Sequence, residues 1–167
     1  MIRDKIKFRK LKDQKSDYKK IFKWCQKKIV YEWFEQRKLT YDEIKNKYQK
    51  KLLEKKQDLF IINYNDTDIG LVQIYQNDEP NTYEYDLFIG EEEYLSKGIG
   101  TIVVNLVNEM IFNQYNAKRI ILHVFKRNIR AANCYKKCGF QILKEYIDRD
   151  TIGNKETIVE FIKNRGE

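Results

Sequence analysis

A chain of 167 residues with 42% hydrophobic and 14% aromatic side chains is the size of one domain, 1–167, with enough apolar surface for a core, which excludes a disordered protein. Its 33 Lys and Arg against 25 Asp and Glu leave +8 at neutral pH, so an anionic partner must be considered: nucleic acid, a membrane surface or a phosphorylated cofactor. No stretch approaches the roughly 20 apolar residues of a membrane span, the start lacks a signal-peptide core, and Cys25, Cys134 and Cys138 form no disulfide framework, so a cytoplasmic protein is expected.

In chain order, Ile6 to Leu11 alternates as a first strand with a basic outer face. The first twenty residues hold nine Lys and Arg, but acids are interspersed and no stacking aromatics accompany them, so a nucleic-acid arm is not expected. Ser16 or Asp17 can cap a helix with Tyr18, Ile21, Phe22 and Cys25 on one face. Ile29-Val30-Tyr31-Glu32-Trp33-Phe34 follows, dense enough in aromatics to be either core or the cover of a pocket, with Glu32 and Trp33 suited to a cationic ligand. Thr40 and Glu43 spell a capping box, flanked by a Leu39–Ile44 staple, for a helix running through Tyr48 and Leu52. Nothing catalytic is legible in that helix. Asp58–Tyr64 and Ile69–Tyr75 read as a hairpin across Asn65–Asp68.

The next stretch carries the chemistry. Tyr83, Tyr85, Leu87 and Ile89 alternate with Glu84, Asp86 and Phe88, so two carboxylates share one strand face. Between Asn77 and Glu93 lie seven acids and no Lys or Arg, either a place for a cation beside an anion or a solvated loop. Lys97-Gly98-Ile99-Gly100-Thr101 then opens a helix patterned by Val103, Leu106, Val107, Met110 and Ile111. A glycine turn entering a helix is an anion site, because first-turn N–H groups lack partners and the macrodipole adds positive potential. Arg119–Phe125 is a nearly unbroken apolar run, expected as a buried strand with a parallel neighbour. Asn128 can cap a helix carrying Ala131, Cys134, Tyr135 and Cys138, with Gly139 as its left-handed stop. Cys134 and Cys138 stand one turn apart, and His123 is the only histidine; no metal is expected, and both thiols are expected to be structural. Phe140–Ile147 and Glu156–Ile162 close the chain as a hairpin around Gly153–Asn154.

The loop Lys97–Thr101 and the run Asn128-Ile129-Arg130-Ala131…Tyr135…Gly139-Phe140 together resemble the GNAT N-acetyltransferases. Asp86-Leu87-Phe88-Ile89, Lys97-Gly98-Ile99-Gly100-Thr101, Trp24 and Val30–Phe34 resemble most the aminoglycoside 6'-N-acetyltransferases in that superfamily. His123-Val124 stands where such relatives commonly carry Asp-Pro.

The resemblance implies a mixed α/β (α+β) GNAT fold: a central, mostly antiparallel sheet with a splayed parallel strand pair and helices on both faces. It implies acetyl-CoA as co-substrate. Its pyrophosphate would lie on Lys97, Gly98, Ile99, Gly100 and Thr101, and its pantetheine along Leu87, Phe88 and Ile89, with Asn128 and Tyr135 nearby. Asp86 would bind the acceptor and serve as base, and Tyr135 would protonate the leaving thiolate. Glu32, Trp33, Glu84, Asp86 and His123 would receive a cationic amine, first an aminoglycoside 6'-amine, otherwise a polyamine, another small amine or a protein terminus. No nucleic-acid or membrane partner is implied, and monomer or homodimer stays open.

Overall fold

In the computed structural model, which describes residues 1–167, the chain divides into two units. The first comprises Met1–Tyr75 with Asp86–Leu95, the second Gln76–Tyr85 with Ser96–Glu167.

The first unit opens with β1 (Ile6–Lys10), followed by α1 (Lys15–Cys25), α2 (Lys28–Phe34) and α3 (Tyr41–Glu54). β2 (Gln57–Tyr64) and β3 (Thr67–Gln76) come next. β1 and β2 pair antiparallel, as do β2 and β3, with Phe8 opposite Ile62 and Phe60 opposite Val72. The tight turn between β2 and β3 uses Asn65 and Asp66 at φ 49° and 65°, the left-handed conformation that Asn and Asp tolerate best after glycine. Trp24, Tyr18, Ile21, Val30, Ile44, Tyr48, Leu59, Ile61, Leu71 and Phe88 form the core.

The Thr40–Glu43 box caps α3 from both directions, as the sequence predicts. The cap of α1 does not follow the sequence: Gln14 holds that position, while Asp17 lies within the helix and is buried to 1% exposure. The acid has a different partner. Arg9 donates from Nη1 and Nη2 to the two Asp17 oxygens at 2.9 Å each, and Nη2 also reaches Asp68 at 2.8 Å. A cap preference is worth about 1 kcal/mol, whereas an acid desolvated beside a bidentate guanidinium needs that partner far more.

The end of β4 (Thr82–Ile89) belongs to this unit and is approached closely on two sides. A Cβ at Gly70 would stand 2.1 Å from the Phe88 carbonyl oxygen, and one at Gly90 would stand 2.3 Å from Cγ of Trp24. Gly90 also donates its N–H to the Ile69 carbonyl at 2.7 Å.

In the second unit, the start of β4 leads through α4 (Ile99–Gln114) to β5 (Arg119–Phe125), then α5 (Ile129–Lys137), β6 (Gln141–Arg149) and β7 (Lys155–Asn164). β4 and β5 run parallel, Tyr83 opposite Ile120, while β5 with β7 and β6 with β7 are antiparallel. The apolar run read as a buried strand is largely that: Ile120, Ile121, Leu122 and Val124 are buried. His123 interrupts it, more than a third exposed on a side chain that meets carboxylates. Val103, Val107, Ile111, Ile120, Leu122 and Phe161 fill the core, where the Tyr85 hydroxyl donates to Asn108 Oδ1 at 2.9 Å.

Seven strands, mostly antiparallel with the β4–β5 pair parallel, and five helices make a mixed α/β protein, the expected class. No helix is long and apolar enough to cross a membrane.

Candidate active site

In the first unit the chemistry gathers around Asp86. Its alternation with Phe88 puts both on one face of β4, and Phe88 packs edge-on against Trp24 and Phe34, with centroids 6.0 and 5.5 Å away. Asp86 is half-buried, and its field reaches Tyr48 and Lys51 of α3. Lys51 donates to Gln73 Oε1 and sits 5.4 Å over the Tyr48 ring; Lys47 lies 5.6 Å from that ring and pairs with Glu35. Burial pushes the Lys51 ammonium down to about 8, with Lys47 acting the same way and Asp86 and Glu35 opposing. Beside this group Tyr31, Phe34, Leu39, Ile44, Tyr48, Gln73 and Phe88 help line a cavity of about 20 Å³, room for a single water. Glu32 and Trp33 are half-buried on α2 and are not among its walls.

The end of the acidic stretch has a structural occupation. Glu91 accepts from Trp24 Nε1 at 2.8 Å, Lys27 at 3.1 Å and Lys23 at 3.3 Å. Burial favours its protonated form, but these donors outweigh it and hold the carboxyl below its ordinary value. Of the two readings of the acidic stretch, neither fits Glu91, which anchors α1 and the start of α2 to the loop after β4.

In the second unit Lys97 and Gly98 are exposed, and Gly98 caps α4 at φ 78°, a conformation suited to glycine. Open space surrounds both Gly98 and Gly100: a Cβ on either would meet nothing within 4 Å. The first-turn N–H groups of α4 lie at the positive end of the helix dipole. Asn128 caps α5, its Oδ1 accepting from the Ala131 N–H at 3.3 Å. That helix carries Tyr135, 9% exposed, between the edges of Phe140 and Phe161.

A charged row crosses the second unit's strands. Glu84 of β4 meets His123 Nδ1 at 2.8 Å and accepts from Asn77 at 2.6 Å on its other oxygen. Glu160 of β7 faces His123 Nε2 at 3.5 Å, and Lys144 of β6 reaches Glu160 at 3.3 Å. On β5 this chain thus has an imidazole between two carboxylates.

Thus Glu84 and His123, singled out separately in the sequence, are partners. The sequence did not single out Tyr48 and Lys51 as neighbours of Asp86, Lys47 and Gln73 beside them, or Glu160 beside His123. Lys47 and Lys51 are spaced i, i+4 around the stripe residue Tyr48, a signal easily taken for a solvated helix face. No group of three or more His, Cys, Asp and Glu could hold a metal ion.

The family model of the GNAT acetyltransferase domain matches residues 13–147, and the chain belongs to that family. Aminoglycoside N(6')-acetyltransferase type 1 of Klebsiella pneumoniae is 24% identical over 139 residues, covering 75% of this chain and 69% of the relative. Spermidine N(1)-acetyltransferase of Vibrio cholerae is 28% identical over 114 residues, covering 67% and 65%. A crystal structure of an aminoglycoside acetyltransferase with coenzyme A and kanamycin superposes with a TM-score of 0.81 at 22% identity, covering 96% of this chain and 95% of that one.

Proposed function

We infer that residues 1–167 act as one catalytic domain, transferring an acetyl group from acetyl-CoA to a primary amine of a small cationic molecule, in the reducing cytoplasm that three free thiols suit. An aminoglycoside 6'-amine is the first acceptor. The observation that carries this reading is Asp86: a half-buried carboxylate on the strand before the glycine turn, in electrostatic reach of Tyr48 and Lys51.

The roles follow from what each residue offers. N–H groups from Lys97 through Thr101 hold the pyrophosphate, with Lys97 adding charge. Backbone groups around Leu87, Phe88 and Ile89 line the pantetheine and polarise the thioester carbonyl. The acceptor arrives as an ammonium ion, and Asp86 both binds it and takes its proton, directly or through water. Nitrogen attacks the carbonyl carbon, the tetrahedral adduct collapses, and the Tyr135 hydroxyl protonates the departing thiolate. Asn128 contributes by fixing the start of the helix that carries Tyr135.

A polyamine is the second reading, supported by the spermidine-acetylating relative and by the two carboxylates around His123, which suit a second ammonium group. Glu32 and Trp33 would meet the far part of either acceptor. Steady-state kinetics with kanamycin and spermidine in parallel separates the two. The first reading expects kcat/KM for kanamycin to exceed that for spermidine by about tenfold or more, with the acetyl group on the 6' nitrogen. A reversed ratio selects the second reading.

A further inference from the structure

The acetyl transfer written above uses neither Cys134 nor Cys138, yet both thiols touch the residue that ends the proposed pyrophosphate loop. Cys134 Sγ lies 3.7 Å from the Thr101 hydroxyl, and the Cys138 thiol donates to the Thr101 carbonyl at 3.5 Å. Thr101 is the third residue of α4, so Cys134 stands at that helix's N-terminus, where a negative charge is favoured. The two cysteines are one turn apart at the end of α5, where Cys138 donates its backbone N–H to the Cys134 carbonyl at 3.1 Å. That spacing puts their Cα atoms about 6 Å apart, within disulfide reach. Cys134 is half-buried and reachable by a small molecule; Cys138 is 5% exposed.

We propose that Cys134 is a site of oxidative modification, with Cys138 as its resolving thiol and the cofactor loop as its target. The neighbouring Cys138 thiol is the largest influence holding the Cys134 thiol below its ordinary value despite burial, with Thr101 and Lys137 acting in the same direction. Cys138 is pushed upward by its neighbour and by burial, and Cys25 rises to about 11 by burial. Of the three thiols, only Cys134 is held below its ordinary value, which favours its thiolate over those of the other two.

With hydrogen peroxide as oxidant, the Cys134 thiolate attacks one peroxide oxygen, the O–O bond breaks, and a sulfenic acid and hydroxide result. The Cys138 sulfur then attacks the Cys134 sulfur, the S–O bond breaks, an S–S bond forms, and water leaves. Two thiols have lost two electrons and the peroxide has become two waters. Closing the bridge draws Cys138 off the Thr101 carbonyl and Cys134 off its hydroxyl, disturbing the first turn of α4. The effect on acetyl-CoA rests on the reading of Lys97–Thr101 as the pyrophosphate loop; the thiol chemistry does not.

The test is peroxide treatment of the full chain at pH 7.5, read by peptide mass spectrometry and by kinetics. Cys134 is expected to be alkylated about tenfold or more faster than Cys25 or Cys138. Peroxide is expected to remove two hydrogen masses from the peptide holding both cysteines. In Cys138→Ser a dimedone adduct collects on Cys134 instead. The oxidised wild type is expected to show a KM for acetyl-CoA raised about tenfold, restored by dithiothreitol. Equal alkylation rates, or no bridge and no trapped sulfenic acid, would overturn the modification site. A complete bridge with unchanged KM would overturn its action on the loop. Absence of any acetyl transfer by the reduced protein would be a failure of the proposed function, read separately from the mass shifts.

Discussion

At the scale of single residues, electrostatics decides most of what can be tested. Arg9 lies between Asp17 and Asp68, and Lys20 also pairs with Asp68. Removing Asp17 leaves Arg9 with Asp68 as its remaining carboxylate and empties a site that is 1% exposed, so Asp17→Ala is expected to cost about 2 kcal/mol in urea unfolding. Burial opposes the ionised form of both acids, but their donors win and both carboxyls are depressed. Depressed acids contribute stability above their unfolded value, near 4, and lose it as pH falls through the folded one. The wild type is thus expected to lose stability below about pH 4 more steeply than Asp17→Ala. Lys51 illustrates the same linkage for a base. Its folded value of about 8 lies under the ordinary 10.5, so the cost of burying its charge is complete below pH 8 and relieved as pH rises. Unfolding free energies of wild type and Lys51→Met should converge between pH 8 and 10; a constant difference would contradict this.

At the scale of elements, two glycines fix how β4 is approached. A methyl group at Gly90 would overlap the rigid Trp24 ring, and one at Gly70 would meet backbone rather than a movable side chain. Gly90→Ala and Gly70→Ala are each expected to destabilise by about 3 kcal/mol or more, visible as a lowered denaturation midpoint. Thr40→Ala, which removes half of a cap, should cost only about 1 kcal/mol. These contrasts show which parts of the fold were legible. The capping box, the β2–β3 turn and the helix behind Gly98 are local devices, spelled by neighbouring residues. The cap of α1 was not, because Asp17 answers to Arg9 on another element. The need for glycine at 70 and 90 was not legible, since the carbonyl and the ring that exclude a side chain at Gly70 and Gly90 are supplied from elsewhere in the chain.

At the scale of the whole molecule, class and family followed from motif order: an acid on a strand, glycines at a helix start, and Asn…Tyr on the next helix. The surroundings of those motifs did not follow. The charges that face Lys47, Lys51 and His123 were not legible, because periodicity cannot tell which charge lies opposite. Acetyl-CoA binding to the folded chain alone should raise the melting temperature, by an amount equivalent to about 2.7 kcal/mol when its concentration is a hundred times Kd.

The most direct test of acetyl transfer at Asp86 is coenzyme A thiol release from acetyl-CoA with kanamycin or spermidine, for wild type and Asp86→Asn. The expected result is turnover with at least one amine and a loss of about a hundredfold or more in kcat for the variant, with KM for acetyl-CoA little changed. Equal kcat in the two proteins would contradict the role given to Asp86, and no turnover with any amine by the folded wild type would contradict the function itself.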